Sequence, residues 1–269
     1  MDMAIDIAVI GGSGFYSLLK NVEEHRVSTR YGRPSDAVMI GKLGKREVAF
    51  IARHGRKHTI PPQRVPYRAN IEALYQFGVK RIISTGAVGS LRPDYKPGQL
   101  AIFDQFVNYT HGRADTFYDD EVVAHVSTAE PYCGELRKIA SKAAKNEKLA
   151  FHDSGTVAVI SGPRFSTRAE SSIFSSQGSH MINMTQYPEA ALARERQMCY
   201  LGIGLITDYD AGLEGRSDIK PVSTSEVIRI FGKNVEKATG LILDIIPQIP
   251  EKRTCGCSKA LEGAVITHK

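Results

Sequence analysis

The chain has 269 residues, 42% of them apolar and 24% charged, with a formal net charge of +6. That is the balance of an ordinary globular protein, long enough to bury a sizeable core without staples. No run approaches the roughly 18 uninterrupted apolar residues of a membrane helix, and the mild positive charge, with no Lys/Arg run or basic–aromatic alternation, fits a small anion better than nucleic acid.

The opening Met1-Asp2-Met3-Ala4-Ile5-Asp6 carries two acids and no basic flank. This is unlike a secretory leader, so a cytoplasmic location is expected. Ile5 to Ile10 reads as a buried strand running into Gly11-Gly12-Ser13-Gly14. Glu47 to Ala52 is a second strand, ending at Arg53-His54-Gly55-Arg56. Pro66 opens a helix that turns Ile71, Leu74 and Phe77 inward and stops at Gly78.

Arg81 to Thr85 is the next strand, expected to end in Gly86-Ala87-Val88-Gly89-Ser90. Gln99 to Phe103 and Thr156 to Ile160 are of the same type. Between them, residues 109–135 form a long polar and aromatic excursion of the kind that carries function or subunit contacts. Arg137, Lys138, Lys142, Lys145 and Lys148 then make the solvated face of a helix.

Thr167-Arg168-Ala169-Glu170 is a capping box that starts another helix. Met181 to Thr185 is a short strand leading to Pro188 and a helix through Met198. Leu201 to Thr207 is the last strand and ends at Asp208-Tyr209-Asp210. Ser223-Thr224-Ser225-Glu226 is a second capping box, opening a helix to about Ile245. Strands alternating with helices predict an α/β sheet with helices on both faces. Residues 1–250 form one domain, and residues 251–269 form a C-terminal tail.

That tail holds Cys255-Gly256-Cys257, a close pair in polar surroundings. A disulfide is favoured over half of a metal site, because a zinc site needs four ligands and only His268 lies nearby in sequence. Cys133 and Cys199 read as ordinary buried thiols. No metal is expected. His54 and His58 follow no ligand pattern, and no third ligand stands near them.

Ligands of open α/β sheets bind beyond the carboxyl ends of the strands. The polar residues Ser13, Arg53, His54, Thr85, Thr185 and Asp208 gather at those ends. The glycine loop with Ser13 offers N–H and O–H donors to an anion. Arg53 adds a planar fork suited to phosphate oxygens, and His54 a further donor. The loop is not a Walker loop, since Gly-Lys-Ser/Thr is missing. It is not a dinucleotide fingerprint, since Ser17 stands where a third Gly belongs. Phe15 excludes a hydrolase elbow.

Asp208 and Asp210 lie at alternate positions and point to one side of an extended chain. They suit the edge of a purine. A carboxyl kept protonated by burial can neutralise a departing base at N7. Two rival readings explain less. A nicotinamide oxidoreductase leaves Arg53-His54 and the Asp pair without a role, and a non-catalytic nucleoside-binding module has no need of an anion cluster.

Taken together the motifs resemble the purine nucleoside phosphorylases of the trimeric type, and within them the branch that acts on 5'-methylthioadenosine. The matching text is Gly11-Gly12-Ser13-Gly14, Arg53-His54-Gly55-Arg56-Lys57-His58, Pro66-Tyr67-Arg68-Ala69-Asn70, Gly86-Ala87-Val88-Gly89-Ser90 and Ala129-Glu130-Pro131. It continues through Gly162-Pro163-Arg164-Phe165-Ser166, Ile182-Asn183-Met184-Thr185 and Thr207-Asp208-Tyr209-Asp210.

The resemblance implies a single-domain three-layer α/β/α fold with a twisted mixed central sheet. It implies phosphorolysis of 5'-methylthioadenosine to adenine and 5-methylthioribose 1-phosphate, with a broader activity on adenosine, inosine or guanosine as the alternative. No cofactor is implied, since inorganic phosphate is a co-substrate.

Carried over residue by residue, phosphate falls to Ser13, Arg53, His54, Ala87 (through its N–H) and Thr185. Met184 lies against the ribose, Phe165 near the purine, and Ser166 and Thr207 close to the base. Asp208 faces N7 and the 6-amino group, with Asp210 assisting. Thr224 and Val227 surround the 5' substituent, and His125 comes from a neighbouring subunit of a homotrimer or a pair of trimers. Two departures stand out: Thr224 is polar where methylthio-specific members carry an apolar residue, and Gly86 stands where close relatives often carry Thr.

Overall fold

The computed structural model describes residues 5–12, 20–213, 218–219 and 222–266. Among these, eleven strands join one mixed sheet. They are β1 (Ile7–Gly11), β2 (Lys20–His25), β3 (Val38–Leu43), β4 (Arg46–Ala52), β5 (Arg81–Ser90), β6 (Leu100–Ile102), β7 (Gln105–Tyr109), β8 (Phe151–His152), β9 (Thr156–Ile160), β10 (Met181–Asn183) and β11 (Cys199–Asp208). The flanking helices are α1 (Tyr67–Gln76), α2 (Gly134–Asn146), α3 (Arg168–Ser176), α4 (Gln186–Glu195) and α5 (Thr224–Gln248).

Side chains alternate across a strand, and here the alternation separates two cores. Ala8 and Ile10 of β1 join Ile71 and Leu74 of α1 and Leu192 of α4 on one face. Ile7 and Val9 join Leu136 and Ala140 of α2 and Leu241 and Ile245 of α5 on the other. The molecule is therefore the expected three-layer α/β/α domain. The basic face foreseen on α2 is solvated: Lys138, Lys142 and Lys145 are exposed while Leu136, Ala140, Ala143 and Ala144 are buried.

Four strands had no clear signal. β2 reads Lys-Asn-Val-Glu-Glu-His and is almost wholly exposed. It pairs antiparallel with β3 at the sheet's edge, where charge is common because it discourages pairing with other chains. β7 and the two-residue β8 are similarly half-exposed, and β3 alternates too weakly to stand out.

β5 runs longer than expected, through the glycines to Ser90. Its first half lies parallel between β1 and β11. The β1 pairing stops at Ser84, and β10 joins that side only at Gly89 and Ser90. Residues 85–88 thus have a strand partner on the β11 side alone. This gap lies just past the carboxyl end of β1.

The tail is fastened to the body. Arg253 donates to Gln197 O at 2.7 Å and Thr254 Oγ1 to Glu135 Oε1 at 2.6 Å. Val265 forms a β-bridge with Ala124, flanked by His125 N to Ala264 O (2.8 Å) and Ile266 N to Val123 O (3.0 Å). The expected disulfide within Cys255-Gly256-Cys257 does not form: all four cysteines are free. Sequence distance hid the reason, because the fold carries the pair to Cys133 and Cys199. No helix among the described residues is long and apolar enough to cross a membrane.

Candidate active site

The gap in the sheet gathers the polar groups. Arg53, one residue past β4, donates from Nη1 to Thr85 O at 2.8 Å. Asn183, the last residue of β10, donates from Nδ2 to Ala87 O at 2.8 Å. Two side chains thus take the carbonyls that a strand would otherwise pair. By the alternation of a strand, the Ala87 N–H leaves on the same side as its carbonyl. Thr85 Oγ1 is buried there without a hydrogen-bond partner.

Glycines on β5 let the walls approach. A Cβ on Gly86 would meet Asn183 Nδ2 at 3.3 Å and Thr185 Oγ1 at 3.8 Å. A Cβ on Gly89 would meet Asp208 Oδ1 at 2.9 Å and Asp210 Cβ at 3.1 Å. The Thr185 end and the carboxylate end are therefore three residues apart along one strand, about 10 Å.

Arg53 is held differently from the sequence expectation. It is 2% exposed, and its Nε and Nη2 edge grips Glu189 of α4 at 2.7 and 2.8 Å. Nη2 also donates to Ser84 Oγ at 2.7 Å. Among the described residues four of the five guanidinium hydrogens are used and one Nη1 hydrogen is left over, so the flat fork is spent inside the protein. Glu189 Oε1 further accepts from the hydroxyls of Ser84 (2.9 Å) and Tyr200 (2.7 Å). Burial opposes the Glu189 charge, but Arg53 and these hydroxyls outweigh it and hold its carboxyl below the usual range. The sequence showed none of this, because one Glu on a helix reads as a solvated charge.

His54 also departs from the expectation of a donor. Its Nδ1 donates to Ile60 O at 2.8 Å, so Nε2 of the neutral ring is an acceptor. Burial, and then the charge of Arg53, push its pKa down to about 4. The ring of His58 stacks on it with centroids 4.5 Å apart.

Thr185 is buried and sits just before α4. Asn183 Oδ1 accepts from the N–H of Thr185 (2.6 Å) and of Gln186 (2.9 Å). This ends β10 at Asn183, two residues earlier than the sequence indicated. Asn183 thereby fixes both Thr185 and Ala87, a role that a lone Asn in a strand does not advertise.

At the other end, Asp208 Oδ2 accepts from Thr207 Oγ1 at 2.6 Å and Asp208 Oδ1 from Asp210 N at 2.8 Å. Asp210 is 2% exposed and has a left-handed backbone with φ of 46°. Among the described residues its Oδ2 and Ser166 Oγ are buried without a hydrogen-bond partner. Burial pushes the Asp210 carboxyl up, while the nearby hydroxyls of Ser166 and Ser171 oppose part of that rise. Burial thus favours the neutral acid at Asp210.

Met184 borders the same region. A Cβ on Gly162 would lie 2.6 Å from Met184 Sδ, so the turn carrying Phe165 and Ser166 rests on Met184. Arg113, from the long excursion, ties these loops by donating from Nη2 to Ser161 O (3.0 Å) and Met184 O (2.9 Å). Phe165 is 39% exposed, at the outer rim. Thr224 begins α5, with Val227 one turn on and half-buried. His125 is exposed and is set apart by its backbone bond to the tail. Ser13 lies outside the described residues.

The profile of the phosphorylase superfamily matches residues 6–247. The S-methyl-5'-thioadenosine phosphorylase of Thermofilum pendens is 51% identical over 264 residues, covering 97% of this chain and 99% of that protein. A 6-oxopurine nucleoside phosphorylase of Pyrococcus furiosus is 47% identical, covering 96% of this chain and 98% of its own length. A methylthioadenosine phosphorylase from an Antarctic soil metagenomic library superposes with a TM-score of 0.92 at 40% identity, over 98% of this chain and 93% of that one. With its sheet gap, its buried Arg53 and its carboxylate pair accounted for by one architecture, the chain belongs to the phosphorylase superfamily.

Proposed function

We propose that the chain cleaves 5'-methylthioadenosine with inorganic phosphate, giving adenine and 5-methylthioribose 1-phosphate. The observation that carries this reading is that Arg53, Asn183 and Thr185 meet β5 at residues 85–87 while the Asp208 and Asp210 side chains meet it at Gly89. The names of the relatives support it.

Phosphate is held by Ser13, the remaining Nη1 hydrogen of Arg53, the Ala87 N–H and Thr185. His54, as a neutral ring, accepts the P–OH hydrogen of hydrogenphosphate through Nε2 and so turns the charged oxygens towards the sugar. One of these oxygens attacks C1' as the C1'–N9 bond breaks, and the anion stabilises the oxocarbenium-like ribose between them.

Adenine leaves as a neutral base once N7 gains a proton. Asp208 faces the base and accepts from the 6-amino group. The proton belongs to the Asp208–Asp210 pair, in which burial favours the neutral acid at Asp210. Met184 lies against the ribose, Phe165 near the purine, and Thr207 and Ser166 close to the base. Thr224 and Val227 meet the 5' substituent, and His125 from a neighbouring copy closes that end in a homotrimer or a pair of trimers. The scheme needs no cofactor and suits a cytoplasmic salvage enzyme.

A broader activity on adenosine, inosine or guanosine is the second reading, favoured by the 47% identical 6-oxopurine relative. A carboxylate at Asp208 repels a 6-oxo group, and this places inosine and guanosine behind adenosine. The test follows adenine release from methylthioadenosine with and without phosphate. Release that depends strictly on phosphate, with equal formation of the sugar phosphate, is expected. Release in its absence sinks the reading.

A further inference from the structure

The excursion after β7 carries a half-buried cation that the reaction scheme does not use. Unlike Arg53, Arg113 has no carboxylate against it among the described residues, and burial works against its charge. Its guanidinium is spent instead on main-chain carbonyls. Nη2 donates to Ser161 O at 3.0 Å, to Met184 O at 2.9 Å and more weakly to Ile160 O at 3.5 Å. Nη1 donates to Tyr187 O. On its flat side, Cζ stands 5.2 Å from the centre of the Tyr67 ring, whose hydroxyl donates to Pro62 O at 2.9 Å.

These partners form two groups. Ile160 and Ser161 lead into the turn that carries Phe165 and Ser166. Met184 and Tyr187 stand on either side of Thr185 in the chain. The guanidinium joins the two groups through their backbones, and Gly162, Met184 and Pro62 pack together beside it. A planar fan of N–H groups can bridge several carbonyls at fixed angles, which the point charge of an ammonium cannot reproduce.

Arg113 is itself placed by its neighbours. Thr116 Oγ1 and Phe117 N each donate to Glu195 at 2.7 Å, and Tyr187 OH donates to Asp115 Oδ2 at 2.5 Å. These bonds hold residues 115–117 along α4 without help from the guanidinium. The phosphate side is held separately too, since Asn183 fixes the Thr185 N–H and Glu189 fixes Arg53.

We propose that Arg113 is a positioning residue for the nucleoside. It sets Met184 and the Phe165 turn at the spacing that sugar and base require, and it leaves the phosphate contacts alone. It touches no substrate and moves no proton. The inference rests on the phosphorolysis reading above.

The test compares Arg113→Ala and Arg113→Lys with the parent, varying methylthioadenosine and phosphate in turn. In Arg113→Ala, kcat/KM for the nucleoside should fall about 10²-fold, the cost of a misplacement of about 1 Å. Most of that loss should lie in KM, while the KM for phosphate stays near the parent's. Guanidinium ion at millimolar concentration should restore part of the nucleoside KM, and ammonium should not. Arg113→Lys should show the same split, and it decides the matter if the Ala variant does not fold. Equal losses for both substrates overturn the proposal. So does a folded Ala variant that guanidinium fails to rescue, and so does a Lys variant that matches the parent. A parent that releases no adenine with phosphate removes both readings, whereas a working parent with any of these results removes this one alone.

Discussion

Gly89 stands directly against Asp208: a Cβ built on Gly89 would lie 2.9 Å from Asp208 Oδ1. The contact is not with the tip of a mobile side chain, because Asp208 is fixed by Thr207 and by the Asp210 N–H. Gly89→Ala must therefore push the carboxylate aside. Overpacking of this kind costs about 1–3 kcal/mol of stability, and moving the carboxylate should also lower kcat/KM for methylthioadenosine. The KM for phosphate should hardly move, since Thr185 and Arg53 lie at the other end of the strand. Steady-state kinetics with each substrate varied in turn checks this. An equal loss at both ends would mean that the sheet itself had shifted.

The Arg53–Glu189 pair makes a stability prediction. Glu189→Gln leaves the Arg53 charge buried without its partner, a change worth about 3–5 kcal/mol. Tyr200→Phe removes only one of the hydrogen bonds to Glu189 and should cost about 1 kcal/mol. Urea denaturation of both variants against the parent measures the two values. If Glu189→Gln costs no more than Tyr200→Phe, the pair is not the anchor of Arg53.

His54 gives the acid side of the stability profile. Its folded pKa of about 4 lies below the ordinary 6.5 of a solvated imidazole. The unfolded chain therefore binds the extra proton first as the pH falls. The stability tied to the neutral ring is complete above pH 6.5 and drains away between 6.5 and 4. Melting temperatures measured across that window should fall more steeply for the parent than for His54→Gln. Parallel curves would show that the ring is not held neutral.

The two carboxyls divide their work. Asp208→Asn should weaken adenine nucleosides and raise the relative rate with inosine, because an amide can donate to a 6-oxo group. Asp210→Asn removes the carboxyl that burial pushes up and should lower kcat about 10²- to 10⁴-fold, the usual share of general acid catalysis. Its adenine-to-hypoxanthine preference should stay close to the parent's. Ratios of kcat/KM for adenosine and inosine in both variants separate the roles. A change of preference confined to Asp210→Asn would reverse the assignment.

Strand–helix alternation was legible because it depends on local periodicity. The Thr167 capping box appeared as written, with Thr167 Oγ1 and Glu170 exchanging both bonds at 3.2 and 2.7 Å. The extension of β5 through Gly86 and Gly89 was not legible, since glycine in a strand reads as a stop until a close neighbour explains it. Glu189 and Asn183 stayed hidden for another reason. Each acts by satisfying a buried group from a different element, and no window of sequence contains both partners. The cysteines show the same limit, since 133, 199 and the tail meet only in three dimensions.

The gap beside residues 85–88 has an evolutionary consequence. Its floor is a central strand with packed layers on both sides, so inserting or deleting a residue there would shift the register of the whole domain. The spacing between anion and base is thus frozen into the architecture. What remains free to vary is the rim, where Thr224 opens α5 and Phe165 stands on a surface turn. New sugar preferences can arise at that rim by single substitutions while the reaction itself is inherited unchanged.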